Sequence, residues 1–552
     1  MTGWILTLLI ASPLLGVAAL ALTRAGNRRA MERVALGASM LTLVLGIAAA
    51  AMFFEDPPAQ GFALKTAAGW LGDYAREGAR VDIAYRVGVD GISIWLILLT
   101  ALLMPLAIAS SFTSIRERVR EYYIFLLLLQ TGMLGVFCAL DVLLFYVFFE
   151  FTLIPLFFLI GIWGGPEKRR AANKFFLYTV AGSVLTFAGV LYLAYYAYAH
   201  GAGAFTLDLE ELMRLSRQGA FPISVQKWVF VAFAAGFAVK VPLFPLHTWL
   251  PLAHTEAPTA GSVILAGVLL KLGTYGFCRL SIPLLPDASS GYAPALAVLA
   301  IVGIIYTALA AWVQKDVKKL IAYSSVSHLG FCILGMFSLK LAGMNGAVMY
   351  MVNHGLSTGA LFLVVGCMYE RYHTREFDHI GGLAKRMPWL AFFLVLFTLS
   401  SIGLPGLNGF VGEFLVLLGT ATSGAERDGL PAGPLGFPYA VPAAAGIILS
   451  AVYMLHMCGR VLLGPLKEPA HTPDTSHGLT ADLTRREIGM LAPIALACIF
   501  LGVYPKPMLQ SVEVAAVANI FQAGAWRDAR SEIATPSLVD SSARGWAEEA
   551  GP

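Results

Sequence analysis

Apolar runs of about twenty residues recur from one end of the chain to the other, and nothing else in the sequence limits its fold as tightly. A bilayer hydrocarbon core about 30 Å thick takes a helix of about 20 residues. Within it every backbone N–H and C=O must be paired inside the protein, which leaves helices or a closed barrel. The runs show no two-residue alternation, so helices are selected. Of the 552 residues, 58% are apolar and 13% charged, where a soluble chain carries about 25% charge. The expectation is an all-α polytopic membrane protein. Its spans are expected at about 3–22, 31–53, 90–110, 122–140, 142–163, 171–199, 227–250, 257–281, 292–313, 319–337, 343–369, 388–420, 439–463 and 488–509, numbered 1 to 14 in that order.

The first run has no basic residue before it and Arg24, Arg28 and Arg29 after it. A cleaved signal peptide has the opposite polarity, so the run is expected to stay as span 1. An even number of spans puts both termini on one face. The face reached after span 1 collects the richer set of basic residues: Arg24 to Arg33, Arg116 to Arg120, Lys168 to Lys174, Lys315 to Lys319, Arg371 to Arg386, and Lys467 with Arg485 and Arg486. By the positive-inside rule that face is cytoplasmic and both termini are outside, in the periplasm if the membrane is the bacterial inner membrane. Trp163, Trp228, Trp249, Trp312 and Trp389 fall near expected span ends, as interfacial aromatics do. The loop from about Glu55 to Val89 contains alternating stretches such as RVDIAYRV and is expected to hold a hairpin outside the membrane. The tail after about Ala523 is polar and expected to be poorly ordered.

Four units follow: 1–121 with spans 1–3 and the external loop, 122–281 with spans 4–8, 292–463 with spans 9–13, and 488–552 with the last span and tail. Each middle unit contains five spans. An odd number makes the second unit enter from the opposite side, so the two are expected to be inverted repeats. Each carries an interrupted span in fourth position. Span 7 is broken by Pro242 and Pro245, and span 12 by Pro405 between Gly403 and Gly406. Paired interruptions in inverted halves point to a transport site.

Charged residues near the middle of spans sharpen this. Each costs about 2.5–3.5 kcal/mol to insert, yet Glu150 lies in span 5, Lys240 in span 7, Lys271 in span 8 and Glu413 in span 12. His328 in span 10 and His354 in span 11 sit between them in sequence, beside Ser and Thr residues that can hold water. Plain alternatives exist: ion pairs that only join helices for Glu150, Lys271 and Glu413, a snorkelling side chain for Lys240, and satisfied core residues for the two histidines. Lys240 and Lys271 are both about thirteen residues into their spans, too deep to snorkel easily. Pro242 frees carbonyls one turn back, to be met by water or by the Lys240 ammonium. Two unit charges about 7 Å apart interact by about 2.4 kcal/mol at an effective dielectric of about 20, so a Glu150–Lys240 pair is able to switch a proton. His247 and His254 flank the loop after span 7 and are expected at the interface. The six cysteines all fall in apolar runs without a CxxC, and no His/Cys/Asp/Glu set has metal spacing. Nucleotide loops and nucleophile elbows lack a usable context, and nothing indicates a nucleic-acid surface.

The stretch KVPLFPLHTWLPLAHTEAPTAGSVILAGVLLKLGTYG, followed downstream by GLPGLNGFVGEF, resembles the subunit M family of antiporter-like membrane subunits of bacterial NADH:quinone oxidoreductase (respiratory complex I), whose mitochondrial counterpart is subunit 4. The likeness covers nearly all of spans 3–14. It implies fourteen transmembrane helices, two inverted five-helix repeats each with a proton half-channel, and a hydrated central axis joining neighbouring antiporter-like subunits. Residue by residue, Glu150 and Lys240 match the family's charge pair, Lys271 its central lysine, His328 and His354 its bridging histidines, and Glu413 the acid of its second repeat. Sister subunits carry lysine at that last position. The resemblance implies proton translocation driven by electron transfer elsewhere in the complex: no cofactor in this chain, with NADH, FMN, iron–sulfur clusters and quinone in partner subunits. The tail beyond about residue 510 falls outside the pattern. The same lysines and proline breaks would also serve a multisubunit cation/proton antiporter or a membrane-bound hydrogenase, and a purely structural scaffold is the third alternative.

Overall fold

A computed structural model describes residues 4–24, 26–58, 61–70, 81–202, 204–426 and 429–521. Thirteen helices in it are long and apolar enough to cross a membrane. The shorter pair Pro388–Ser401 and Asn408–Ala421 makes one further crossing, so the fourteen expected spans are all present. Their ends shift by a few residues, more at span 9, which runs Pro286–Trp312, and at span 14, which runs Arg485–Val503. The final residues for which a disordered tail was expected lie outside the described residues.

Loops expected on one face meet each other there. On the face expected to be outer Ala139 bridges to Val87 and Asp141 to Asp208, Ser216 donates to Leu284 O, and Gln226 donates to Asp287 across 2.8 Å. On the opposite face, which carries the basic loops, the Trp163 indole donates to Glu117 O, Gly165 N to Glu256 O, and Gly381 bridges to Lys467. The hairpin expected in the loop after span 2 forms between strands Ala63–Gly69 and Ala84–Val89, antiparallel. A short parallel pairing of Val81–Asp82 with Phe205–Thr206 ties it to the loop after span 6.

The two five-span blocks pack in the same order. In the first, span 6 (Lys168–Ala199) lies along the first half of span 7 (Ile223–Lys240); in the second, span 11 lies along broken span 12. Gly182 and Gly236 allow the close approach in the first block, since a Cβ at Gly236 would stand 2.0 Å from Thr186 Oγ1. Span 8 (Thr259–Leu284), span 10 (Val317–Phe337) and span 11 are the most enclosed helices, and spans 1, 2 and 13 among the most open. Two departures from the expected pattern matter. Span 14 ends at Val503 rather than near 509, and a separate helix, Lys506–Asn519, folds back over the face opposite the basic loops, where Asn519 donates to Asp90 and Ser511 accepts from the Trp95 indole. Span 5 is also interrupted, dividing at Thr152 into Val142–Phe151 and Leu153–Trp163. Pro155 explains this, because its ring collides with the carbonyl four residues back, at Phe151.

Candidate functional site

Span 7 stops where its sequence says it must. Helix Ile223–Lys240 ends at Lys240, a non-helical stretch containing Pro242 and Pro245 follows, and the crossing resumes as Leu250–Glu256. One freed carbonyl, Val239 O, is not met by the lysine: the Trp249 indole donates to it at 3.0 Å. Trp249 is 1% exposed, so it is an internal stitch across the break rather than the interfacial aromatic expected. Lys240 Nζ instead sits 4.6 Å above the Phe149 ring and 3.4 Å from Thr152 Oγ1. Glu150, half-buried one residue from Phe149, feels the Lys240 charge but makes no ion pair with it within 4 Å among the described residues. The two charges are therefore not in direct contact, and an aromatic face and a hydroxyl hold the ammonium.

Lys271 is fully enclosed. Span 8 widens into π-helix on both sides of it, at Leu265–Leu269 and Phe277–Ser281, a distortion common at functional positions. Its Nζ donates to Ala266 O and, at 2.7 Å, to His354 Nδ1. The His354 ring lies 5.7 Å from that of His328. His328 Nδ1 contacts the Tyr350 hydroxyl, which donates to Glu413 Oε1 at 2.8 Å. Five side chains from spans 8, 10, 11 and 12 therefore form one buried row: Lys271, His354, His328, Tyr350, Glu413. The hydrogen-bond partners of Lys240 and Lys271 are separate sets, so Glu150 and Lys240 form a second cluster beside this row.

The break in span 12 seats Glu413. Ser400 donates to Asn408 Oδ1 at 2.6 Å, and Asn353 donates to Asn408 O, pinning the start of the second half-helix. Gly403 has φ +73 and a Cβ there would stand 2.2 Å from Glu413 Oε2, so glycine is required both for its backbone and for the room it leaves. Leu404, Pro405 and Gly406 face outward.

Four residues lay outside the sequence expectations. Tyr350 bridges His328 to Glu413; its signal was the spacing of Tyr350, Asn353, His354 and Ser357 along one helical face. His254 and His247 are buried rather than interfacial. His254 stacks flat on Phe362 at 4.6 Å, and neither of its ring nitrogens has a hydrogen-bond partner among the described residues. Lys318, expected in a basic loop, is buried in the first turn of span 10, where its ammonium donates to Ala257 O at 2.6 Å. No group of three or more His, Cys, Asp or Glu side chains among the described residues is placed to hold a metal ion.

Residues 139–426 match the family model described as NADH:quinone oxidoreductase/Mrp antiporter, transmembrane. Residues 63–136 match that of the NADH-ubiquinone oxidoreductase chain 4 amino terminus. NADH-quinone oxidoreductase subunit M of Rhodobacter capsulatus is 43% identical over 515 residues, 91% of this chain and 93% of the relative. Among solved structures, a chain of respiratory complex I from Thermus thermophilus with bound NADH superposes with a TM-score of 0.78 at 31% identity, covering 93% of this chain and 99% of that one. A chain of the Mrp complex from Dietzia sp. DQ12-45-1b, at 23% identity and a TM-score of 0.76 over 94% of this chain and 52% of that one, shares the fold alone.

Proposed function

This chain belongs to the NADH:quinone oxidoreductase subunit M (chain 4) family, and on that premise we propose that its row Lys271–His354–His328–Tyr350–Glu413 is the path along which it moves protons. The chain is a proton-translocating, multi-pass membrane subunit of a multisubunit NADH:quinone oxidoreductase. Its contribution is non-redox: it accepts, holds and releases protons while NADH, FMN, iron–sulfur clusters and quinone do their chemistry in partner subunits. The observation that carries the reading is continuity. Every neighbour in the row is within hydrogen-bond or ring-contact distance, and every member can both gain and lose a proton or relay one through a hydroxyl.

Each side chain has a role that its surroundings support. When the Lys271 ammonium gives its proton to His354 Nδ1, the imidazole releases the one on its other nitrogen toward His328. Tyr350 passes it by donating to Glu413 while accepting from His328. Glu150 and Lys240 act as the switch. With Lys240 held against Phe149 and Thr152 rather than locked to Glu150, a charge arriving near Glu150 alters the field on Lys240 without first breaking a tight ion pair. Lys240 then biases the protonation of Lys271. Release beyond Glu413 occurs toward the outer face or into a neighbouring subunit. That neighbour is expected over Leu404 to Gly406, because irregular backbone at mid-membrane depth is tolerated against protein or a water-lined cavity and not against lipid. The basic face is cytoplasmic and both termini are periplasmic.

The test replaces Lys240 or Lys271 by Ala in the assembled complex and measures protons moved per NADH oxidised. Each substitution is expected to remove the share of pumping that this subunit carries. Unchanged stoichiometry in both variants would sink the relay.

A further inference from the structure

On the face opposite the basic loops, a cavity of about 410 Å³ separates the end of span 2 (Arg28–Glu55) from the last helix, Lys506–Asn519. Phe53, Phe54 and Pro57 wall it on one side, and Val514, Ala515 and Ala518 on the other. The helix keeps its place through a different face. Met508, Val512 and Ala516 are buried in the protein, and Asn519 and Ser511 hold Asp90 and Trp95. The side turned to span 2 carries the small residues Ser511, Ala515 and Ala518, and these leave the gap open. The polar groups deep in the cavity are already spent. Asp90 accepts from Arg279, Asn519 and two backbone N–H groups, and the Ser511 hydroxyl bonds Trp95 and Met508 O. An occupant therefore meets an apolar wall, with the exposed Gln510 as its one free polar neighbour among the described lining residues.

The cavity continues onto the surface that faces the bilayer. Phe54 is exposed and ends a stripe with Ile47 and Met40, also exposed, at seven-residue spacing along one side of span 2. Exposed Tyr504 and Lys506 put the mouth at headgroup depth. Charges of both signs stand there. Lys506 is one turn before Gln510, and Glu55 and Asp56 lie between the lining residues Phe54 and Pro57. All three are exposed, and none makes an ion pair within 4 Å among the described residues. A phosphate and a primary ammonium on one short linker complement this arrangement. The phosphate accepts from the Lys506 ammonium, and the ethanolamine ammonium donates to the carboxylates. A choline head has no N–H to donate, and a glycerol head brings no cation to Glu55 and Asp56. We propose that the cavity holds one molecule of phosphatidylethanolamine. Its head lies between Lys506 and Glu55–Asp56, its upper acyl chain between Phe54 and Ala515, and the rest of that chain along Ile47 and Met40. The lipid fills the gap that the small residues leave and so joins the last helix to span 2.

The test uses the intact complex in phosphatidylcholine vesicles. A trace of phosphatidylethanolamine, phosphatidylcholine or phosphatidylglycerol, each with the same diazirine in its upper acyl chain, is photolysed, and the labelled peptides are mapped by mass spectrometry. The peptides holding Phe54 and Val514 are expected to take about fivefold more phosphatidylethanolamine than either other lipid, the preference that one surface ion pair supplies. They are also expected to exceed the peptide holding Val441, an exposed residue near the same end of span 13 that reports bulk lipid. Ala515→Phe with Ala518→Phe fills the cavity and is expected to bring both peptides down to the Val441 level while NADH oxidation is kept. Lys506→Glu changes an exposed side chain only, so it serves if the double variant fails to assemble; it is expected to abolish the headgroup preference. Equal labelling by the three lipids, or a preference that survives Lys506→Glu, overturns the assignment. Labelling at Phe54 and Val514 no higher than at Val441 overturns the site itself. The cavity is then empty or filled by a segment of a neighbouring subunit or by residues 522–552 of this chain, the last being shown if truncation after Phe521 brings the label in.

Discussion

Tyr350 shows how much one hydroxyl decides at the scale of the residue. It is the only described side chain that hydrogen-bonds both His328 and Glu413, and without it an imidazole and a carboxyl face each other across a phenyl-sized gap. Tyr350→Phe keeps the ring and its contacts with Phe331. It is therefore expected to leave assembly and NADH oxidation near normal while lowering the proton-to-NADH ratio most of the way to that of Lys271→Ala; pumping within about a tenth of the unaltered value would place the path elsewhere. The lysines, histidines and Glu413 were legible in the sequence because a charge or imidazole in an apolar run is conspicuous. Tyr350, one of many aromatics in this chain, was not. His254 was misplaced for a related reason: in sequence it sits beside a break, and breaks are normally read as loops at the interface.

At the scale of the element, proline positions told where helices break but not what repairs them. In span 7 the repair is the Trp249 indole on Val239 O, and in span 12 it is the Asn353–Asn408–Ser400 set. Leaving a buried carbonyl without a donor costs about 1–3 kcal/mol. Trp249→Phe is expected to lower stability by that amount and the thermal midpoint with it, whereas Trp228→Phe, at an indole that is 75% exposed, is expected to change it little. Thermal unfolding of the two variants in the same detergent compares them directly; equal midpoints would mean that the break needs no stitch. The kink at Thr152 was equally implied by Pro155, but a single proline within an unbroken apolar run gives no sign of whether a helix bends slightly or divides.

At the scale of the whole molecule, the face opposite the basic loops is held by a charged clasp. Asp90 accepts from Arg279 at 2.7 Å, from Asn519 at 3.0 Å, and from the backbone of Ile92 and Ser93. It thereby joins span 3, the outer end of span 8 and the C-terminal helix. The side chains of Arg279 and Asp90 are each 1% exposed. Removing one partner of a buried pair costs about 3–5 kcal/mol, so Arg279→Met is expected to destabilise by that amount and to loosen the C-terminal helix, read as faster hydrogen exchange over 506–519. Unchanged exchange would show that the helix docks without the pair. Nearby, burial pushes the Asp141 carboxyl up to about 6 although Arg86 is 3.3 Å away. A carboxyl raised in the folded state binds a proton that the unfolded chain has already released. Its contribution is therefore fully present below the ordinary carboxylate range and is lost as pH rises to about 6. Asp141→Asn should flatten this part of the stability profile, measured as the difference between the two proteins' melting temperatures from pH 4 to pH 7; a constant difference would rule the titration out.

What the sequence determined by itself is what lipid enforces locally. Apolar length sets the number of spans, basic loops distinguish the two faces, prolines and glycines interrupt helices, and each buried charge announces itself by its insertion cost. What only the tertiary structure decided is which of those groups touch. Lys271, His328, His354 and Glu413 come from four helices whose rotations are fixed by close contacts such as Gly412 on Tyr350 and Gly273 on Val241. Rotation sets which face of a helix meets its neighbour, and in a chain apolar on all sides no periodicity records it. For the same reason the enclosure of His254 and the burial of Lys318 beside a cavity had no local signature. They arise where helices cross.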